Sequence, residues 1–337
     1  MISKKDLFNA YKIYLSKLDQ LFVLMDDSET AYKFSKQTLI WEKIKRDYSW
    51  QVWNETISAE KADQVMMDWI NDKMAQKHRL NMAIEFATKK HSGQLRKATA
   101  IPYILHPLEV LQILYSMRAD TNLMIAGVLH DTVEDTDTTL DEIREIFGDD
   151  VAMLVASNTE DKSKSWDERK SHTINELATA NDRVKMLIMA DKLSNIRSIA
   201  HDYSVIGDDL WSRFNAPKKK QAWYYDGILD ALCDMQYNPQ SEKAYWELTG
   251  LFKDVFVKYY LDNKNQVIYQ ASDNGVVFYL KKGSPVWNDA IAEPANSKNI
   301  PADNKPHFYD VKPIPKDAQV ISRMDAELTE DIWNSQI

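Results

Sequence analysis

The stretch "AGVLHDTVEDTDTT" (Ala126–Thr139) decides how the chain reads. An apolar run with the character of a buried helix ends in His130-Asp131, and Glu134, Asp135 and Asp137 follow within seven residues. No Lys or Arg lies between Arg118 and Arg144 to neutralise them locally. Carboxylates crowded in this way repel one another unless water, a helix N-terminus or a cation answers them. On a continuous helix His130 and Glu134 stand one turn apart, as do Asp131 and Asp135, so an imidazole and three carboxylates share adjoining stripes. Imidazole plus carboxylate is the ligand set of a divalent metal such as Mn²⁺, Fe²⁺ or Zn²⁺. A solvated acidic helix end with a packed histidine is the plainer reading of the same residues.

Two further segments bear on that choice. "IPYILHPLEV" (Ile101–Val110) places His106 after an apolar run and directly before Pro107, at an expected helix start. "VKMLIMADKLSNIRSI" (Val184–Ile199) places Asp191 inside an otherwise apolar helix, with Asn195 one turn later. A carboxylate in such a run is costly unless it is paired or metal-bound, and Lys192 and Arg197 are the nearest cations. Together the segments supply two histidines and two carboxylates: His106, His130, Asp131 and Asp191.

The rest of the chain narrows the function classes. Its 337 residues include only eight glycines, no two within three positions of each other, so neither a dinucleotide-binding glycine turn nor a P-loop is present. The single cysteine, Cys233, excludes an intramolecular disulfide framework and a Cys-rich zinc site, and the run "ILDALC" predicts it to be a buried small hydrophobe. A formal net charge of −9 disfavours nucleic-acid binding, so an anionic substrate needs a local basic patch. Lys162, Lys164, Arg169, Lys170 and the run Lys218–Lys220 are candidates for it. No apolar run approaches the ~18 residues that span a membrane, and the N-terminal "MISKKDLFNAYKIYL" lacks an apolar secretory core, so no membrane partner and a cytoplasmic location are expected.

Three regions are expected. Residues 1–75 read as a helical N-terminal extension, because Leu7, Tyr11, Tyr14, Leu18, Leu21, Phe22 and Met25 recur at three- and four-residue spacing. Trp41, Trp50, Trp53 and Trp69 are expected to be packing anchors. Residues 76–235 read as an all-α bundle. Residues 236–337 read as a small α+β appendage. It comprises a helix near 241–261, a hairpin of "QVIYQA" and "VVFYLKK" about the Asn-Gly turn of "SDNG", an irregular Pro285–Pro315 segment and a short helix after 317.

The middle block resembles a known family. "HSGQLRKATAIPYILHPLEV" (91–110), "AGVLHDTVEDTDTTLDEIREIFGDDVAMLV" (126–155), "TEDKSKSWDERK" (159–170) and "MADKLSNIRSI" (189–199) are similar, in order and spacing, to successive motifs of the HD-type hydrolase domain of the RelA/SpoT family. The small stand-alone alarmone hydrolases are the nearest members, and "LWSRFNAPKKKQAWYYDGIL" (210–229) resembles their closing helices.

The resemblance implies a mainly α HD-domain metal-dependent phosphohydrolase holding one divalent metal, typically Mn²⁺, per chain. Matched by motif, His106, His130, Asp131 and Asp191 would be the metal ligands. Glu134 and Asp135 would be the catalytic acids that position a metal-activated water for attack on the 3′-diphosphate of (p)ppGpp, giving pyrophosphate and GDP or GTP. Arg96 and Lys97 would lie against the base, Asn195 against the sugar-phosphate, and Lys220 and Tyr224 toward the 5′-phosphates. The family often has Lys-Leu-Ala-Asp where this chain has Ile188-Met189-Ala190-Asp191, and Ser194 occupies a variable position. No synthetase motif is seen. Two other readings stay open on sequence: the same scaffold acting on (p)ppApp or NADPH, and a non-catalytic nucleotide sensor.

Overall fold

The computed structural model describes residues 12–16, 21–25, 30–37, 39, 41–45, 55–97, 99–284, 287–289 and 314–335. By its internal contacts the chain divides into two units, Met1–Met82 and Ala83–Ile337.

The first unit corrects the helical reading of residues 1–75. Five strands, β1 (Lys12–Ser16), β2 (Leu21–Met25), β3 (Thr30–Ser35), β4 (Trp41–Lys45) and β5 (Glu55–Ile57), form an antiparallel sheet in the order β4-β3-β2-β1-β5. Among the described residues the first helix is α1 (Ala59–Lys90). Ile13, Leu15, Leu24 and Phe34 pack with Ala62 and Met66 of α1, while Tyr14, Val23 and Ala31 are buried together with Ile44 against them. Successive residues of a strand point to opposite faces, so a strand buried on both reads as an unbroken apolar run without period-two alternation. Tyr14, Leu21, Phe22 and Met25 therefore mimicked a helical stripe while standing on two paired strands. Trp41 and Trp69 are packing anchors as expected, with ring centroids 5.0 and 6.3 Å from Phe34. Leu7, Tyr11, Leu18, Trp50 and Trp53 lie outside the described residues.

The second unit opens with the expected helical bundle: α2 (Leu105–Ser116), α3 (Thr121–Leu129), the single turn α4 (Thr132–Asp135), α5 (Leu140–Phe147), α6 (Asp149–Ser157), α7 (Trp166–Thr179), α8 (Asp182–Ile206) and α9 (Lys218–Ala231). Side-chain caps fix the starts. Asp120 accepts from Leu123 N, Thr139 from Glu142 N, Asn181 from Val184 N, and Ser165 with Glu168 forms a capping box. The long α8 packs against α2 and α3, with Met186–Ala190 buried. Among the described residues no helix is long and apolar enough to cross a membrane.

The end of the chain is α+β as expected, with two differences. Helix α10 (Glu242–Phe256) stops at Phe256, and "VKYYLD" continues as β6 (Val257–Asp262), because a run of β-branched and aromatic residues suits a strand paired on both sides. With β7 (Val267–Ser272), β8 (Val277–Lys281), β9 (Asn288–Asp289) and β10 (Gln319–Ile321) it forms an antiparallel sheet in the order β10-β6-β7-β8-β9, covered in part by α11 (Arg323–Asn334). The hairpin turn at "SDNG" is present, with Gly275 at φ +99°. Of Pro285–Pro315 nearly all lies outside the described residues. Cys233 is exposed rather than buried, because α9 ends at Ala231 and a 3-10 turn over Cys233–Tyr237 carries it outward.

The hairpin turn is tied to the bundle where Asn274 donates to Asp226 on α9 at 2.7 Å. Burial, with Asp230 one turn away, pushes the Asp226 carboxyl up to about 6. A carboxyl raised on folding contributes stability that is present below its ordinary range and is lost as pH rises through the folded value. Asp226→Asn removes that titration and keeps an acceptor for Asn274. The variant is expected to be more stable than wild type at pH 7.5, by about 1–2 kcal/mol, with the gap closing toward pH 4.5. Denaturant midpoints at the two pH values check this; a gap independent of pH contradicts it.

Candidate metal centre and active site

Three breaks in regular structure aim the site's side chains at one point. His106 stands in the first turn of α2, where Pro107 costs no helical hydrogen bond. Helix α3 ends at Leu129, so His130 and Asp131 form the joint between α3 and α4 rather than the continuous helix expected. The Thr132 hydroxyl stitches the joint by donating to Leu129 O at 2.7 Å. Asp191 projects from the middle of α8.

The four side chains converge. His106 Nε2 lies 3.1 Å from Asp191 Oδ1 and 3.5 Å from Asp131 Oδ2. His130 Nε2 lies 2.9 Å from Asp131 Oδ2 and 3.7 Å from Asp191 Oδ1. Ligand atoms of His106, His130 and Asp191 all fall within 4.8 Å of one another, and the three residues are buried. His130 Nδ1 sits 2.8 Å from Gly127 O, which can only accept, so Nδ1 carries a proton and Nε2 is the atom turned to the site. That Nε2 is fully buried and makes no aligned hydrogen bond. A buried ring nitrogen without a partner, facing two carboxylates, fits one divalent cation, and the mixed imidazole and carboxylate donors suit a borderline-to-hard metal.

The electrostatics agree with a site built for positive charge. Burial opposes the charge on Asp131, yet His130 and His106 hold its carboxyl well below the usual range. Burial likewise opposes charge on Asp191, and Lys192 with the two imidazoles outweighs it. Lys192 Nζ pairs with Asp191 Oδ2 at 2.7 Å, while Asn195 donates to Oδ1 at 2.6 Å. The ion pair foreseen as the plain alternative for Asp191 therefore coexists with the cluster, one oxygen serving each. Arg197 instead reaches Glu109 and Glu247.

Glu134 and Asp135 stand on the rim. Lys162 donates to Glu134 O at 2.6 Å and to Asp135 Oδ1 at 3.0 Å, and Lys90 pairs with Asp137 at 3.0 Å. The acid run is thus partly neutralised by lysines distant in sequence, which local counting missed. Burial raises the Glu134 carboxyl, and the charges of Asp131, Glu160 and Asp135 raise it further.

Two cavities meet beside the site. One, of about 710 Å³, is lined by His106, Asp131 and Asp191 with Glu134, Asp135, Arg169 and Lys170. The other, of about 570 Å³, is lined by Arg96, Lys97 and Tyr224, and Tyr103, Lys170, Lys192 and Asn195 belong to both. Arg96 donates to Asn195 Oδ1 at 3.2 Å, and Lys97 to Asn215 at 3.3 Å. The Tyr224 hydroxyl is buried without a partner, beneath Lys170 at 4.8 Å from its ring. Lys220 is the site residue not brought in: it pairs with both oxygens of Asp167 and lines neither cavity.

Three participants escaped sequence reasoning. The Tyr103 hydroxyl donates to Asp131 Oδ2 at 2.5 Å. Glu160 gathers Arg169 and Lys170 at 2.8 and 2.7 Å. Ser194 holds His106 Nδ1 at 2.8 Å. Tyr103 stands one turn before His106 in "YILH", the one signal that could have marked it.

Comparison with known proteins agrees with this geometry. The HD-domain family profile matches residues 83–217. A guanosine-3′,5′-bis(diphosphate) 3′-pyrophosphohydrolase of Homo sapiens, MESH1, is 42% identical over 120 residues, 35% of this chain and 67% of that protein. The chain belongs to the HD-domain family, as a relative of the ppGpp 3′-pyrophosphohydrolases. One of that description from Aquifex aeolicus is 42% identical over 123 residues, and a probable GTP pyrophosphokinase of Mycobacterium leprae is 34% identical over 173. The matches cover 36% and 50% of this chain but only 18% and 20% of those two proteins.

Within the HD domain, Gly127 serves twice, because its carbonyl holds His130 and its missing side chain admits α2. A Cβ there would meet Leu114 Cδ1 at 2.4 Å and Val110 Cγ1 at 3.3 Å, both in the core. Gly127→Ala is expected to cost about 1–3 kcal/mol of stability by overpacking, read from urea denaturation. An unchanged midpoint would mean that Leu114 moves aside freely and that α2 and α3 are not held this closely.

Proposed function

We propose that the HD domain hydrolyses the 3′-diphosphate of (p)ppGpp, releasing pyrophosphate and GDP or GTP, with one Mn²⁺ held by His106, His130, Asp131 and Asp191. The observation that carries the reading is the convergence of these four side chains at the floor of a cavity whose rim holds Glu134 and Asp135 and whose wall carries Arg169, Lys170 and Lys192. The ligand is read as a nucleotide rather than a nucleic acid, since a chain of net charge −9 offers a small anion the local cluster of Arg169, Lys170 and Lys192 in this cavity.

A divalent metal supplies Lewis-acid polarisation of the phosphate and lowers the pKa of water. The chain supplies the rest. Glu134, with its carboxyl raised by burial, is suited to accept a proton from the attacking water, and Asp135 with Lys162 orients the rim. The new bond joins the water oxygen to phosphorus, the bond to the ribose 3′-oxygen breaks, and that oxygen leaves with GDP or GTP as a hydroxyl, taking up the proton that Glu134 accepted. Arg169, Lys170 and Lys192 face the charge that gathers on the phosphoryl oxygens. Arg96, Lys97 and Tyr224 in the adjoining cavity receive the base and the 5′-phosphates, with Asn195 between the two. Paired with Asp167, Lys220 reaches substrate only by exchanging that partner.

The test is hydrolysis of ppGpp, pppGpp, ppApp and NADPH with and without Mn²⁺, products identified by phosphorus NMR. Pyrophosphate from ppGpp with wild type and none with Asp131→Ala is expected. Orthophosphate from NADPH alone would move the assignment to a phosphatase, and nucleotide binding without turnover to a sensor. Product from ATP plus GDP would point instead to the synthetic chemistry named for the Mycobacterium leprae relative.

Because the proton-accepting form of Glu134 exists only above its raised pKa, the acid limb of the rate should lie above the ordinary glutamate value of about 4.3. Glu134→Gln should lower the rate by about 10²–10⁴ while leaving the fold intact. An acid limb at the ordinary value, or near wild-type turnover in Glu134→Gln, would remove Glu134 from this role.

A further inference from the structure

His106 is held by a polar chain that leaves the site and ends on α10, beyond the segment matched by the HD-domain profile. His106 Nδ1 lies 2.8 Å from Ser194 Oγ, and Ser194 Oγ lies 2.8 Å from Glu109 Oε2. Arg197 Nη1 donates to Glu109 Oε1 at 3.0 Å. The same guanidinium grips Glu247 on α10 with two bonds, Nε to Oε1 at 2.6 Å and Nη2 to Oε2 at 2.9 Å.

The hydrogen-bond directions follow from inventory. A carboxylate paired with Arg197 can only accept, so the one Ser194 hydroxyl proton goes to Glu109. The hydroxyl then offers only lone pairs to His106, so Nδ1 must carry its proton and Nε2 is left to face Asp191 and Asp131. Ser194 is fully buried and His106 nearly so, and water cannot substitute for the missing partner. Without the hydroxyl the ring is free to take the other tautomer, which turns an N–H toward the site.

We infer that Ser194, Glu109, Arg197 and Glu247 form a positioning relay that fixes the His106 tautomer, so that α10 is a working part of the metal centre. This rests on the metal-centre reading above. Ser194, read from sequence as a variable position, becomes the contact on which the ring's orientation depends. Glu247 brings the C-terminal region, otherwise outside the HD domain, into the site through Arg197. None of the four is a catalytic residue, because each acts on the reacting atoms only through His106.

The experiment is calorimetric titration of the full-length protein with Mn²⁺ alone, without nucleotide. Leaving nucleotide out matters because Glu109 and Arg197 also line the second cavity. Ser194→Ala is expected to weaken Mn²⁺ binding by about 10- to 100-fold, the usual cost of losing a partner of a metal-bound histidine. Glu109→Gln should weaken it measurably and Glu247→Ala by less, in the order of distance from His106. Melting curves verify that each variant is folded, and Arg144→Ala, which loses a surface pair with Asp149, serves as a control outside the relay that should leave the affinity unchanged. Wild-type affinity in both Ser194→Ala and Glu247→Ala would overturn the relay while leaving the metal centre standing. Failure of the wild type to bind Mn²⁺ would overturn the metal-centre reading and the relay with it.

Discussion

Asp191 sits in the middle of α8 behind the buried run Met186–Ala190, where a lone carboxylate would cost several kcal/mol. Each of its oxygens is therefore answered. Oδ2 takes the Lys192 ammonium, and Oδ1 takes Asn195 and faces both imidazoles. This requirement brings α2 and α3 against α8, because only they carry His106 and His130. The break at His130-Asp131 serves the same convergence: neighbouring positions of a continuous helix point about 100° apart, whereas here His130 Nε2 and Asp131 Oδ2 lie 2.9 Å apart, the first facing Asp191 and the second His106. The rim follows in turn: Asp131 is held low by the imidazoles, while Glu134, one step out and facing other carboxylates, is pushed up. Two neighbouring acids with opposite shifts are what a site needs to hold a cation with one and move a proton with the other.

Sequence reading found the bundle, His106, His130, Asp131 and Asp191, and the "SDNG" hairpin because each leaves a local mark. A histidine before proline, a charge in an apolar helix and an Asn-Gly between β-rich runs are all visible within a few residues. It failed where the cause is not local. The first strands are buried on both faces and so lose alternation, which let Tyr14, Leu21, Phe22 and Met25 pose as a helical stripe. Glu160 and Tyr103 reach the site only through the fold, and Lys220 is turned from it by Asp167, a partner 53 residues away.

The C-terminal region is bound to the HD domain through polar ties rather than simply appended. Asn274 reaches Asp226, Lys218 reaches Asp273 at 3.0 Å, and Glu247 grips Arg197. Two of these ties land on α9, the helix that carries Tyr224, and the third lands on α8, the helix that carries Asp191. The walls of both cavities are therefore braced from residues beyond those that the HD-domain profile matches.

We propose that His106, His130, Asp131 and Asp191 hold one cation. Anomalous diffraction at the manganese edge, from crystals grown with Mn²⁺, tests it most directly. A single strong peak within bonding distance of His106 Nε2, His130 Nε2 and the two carboxylates is expected. A peak elsewhere, or none with the four side chains ordered as described, would contradict it.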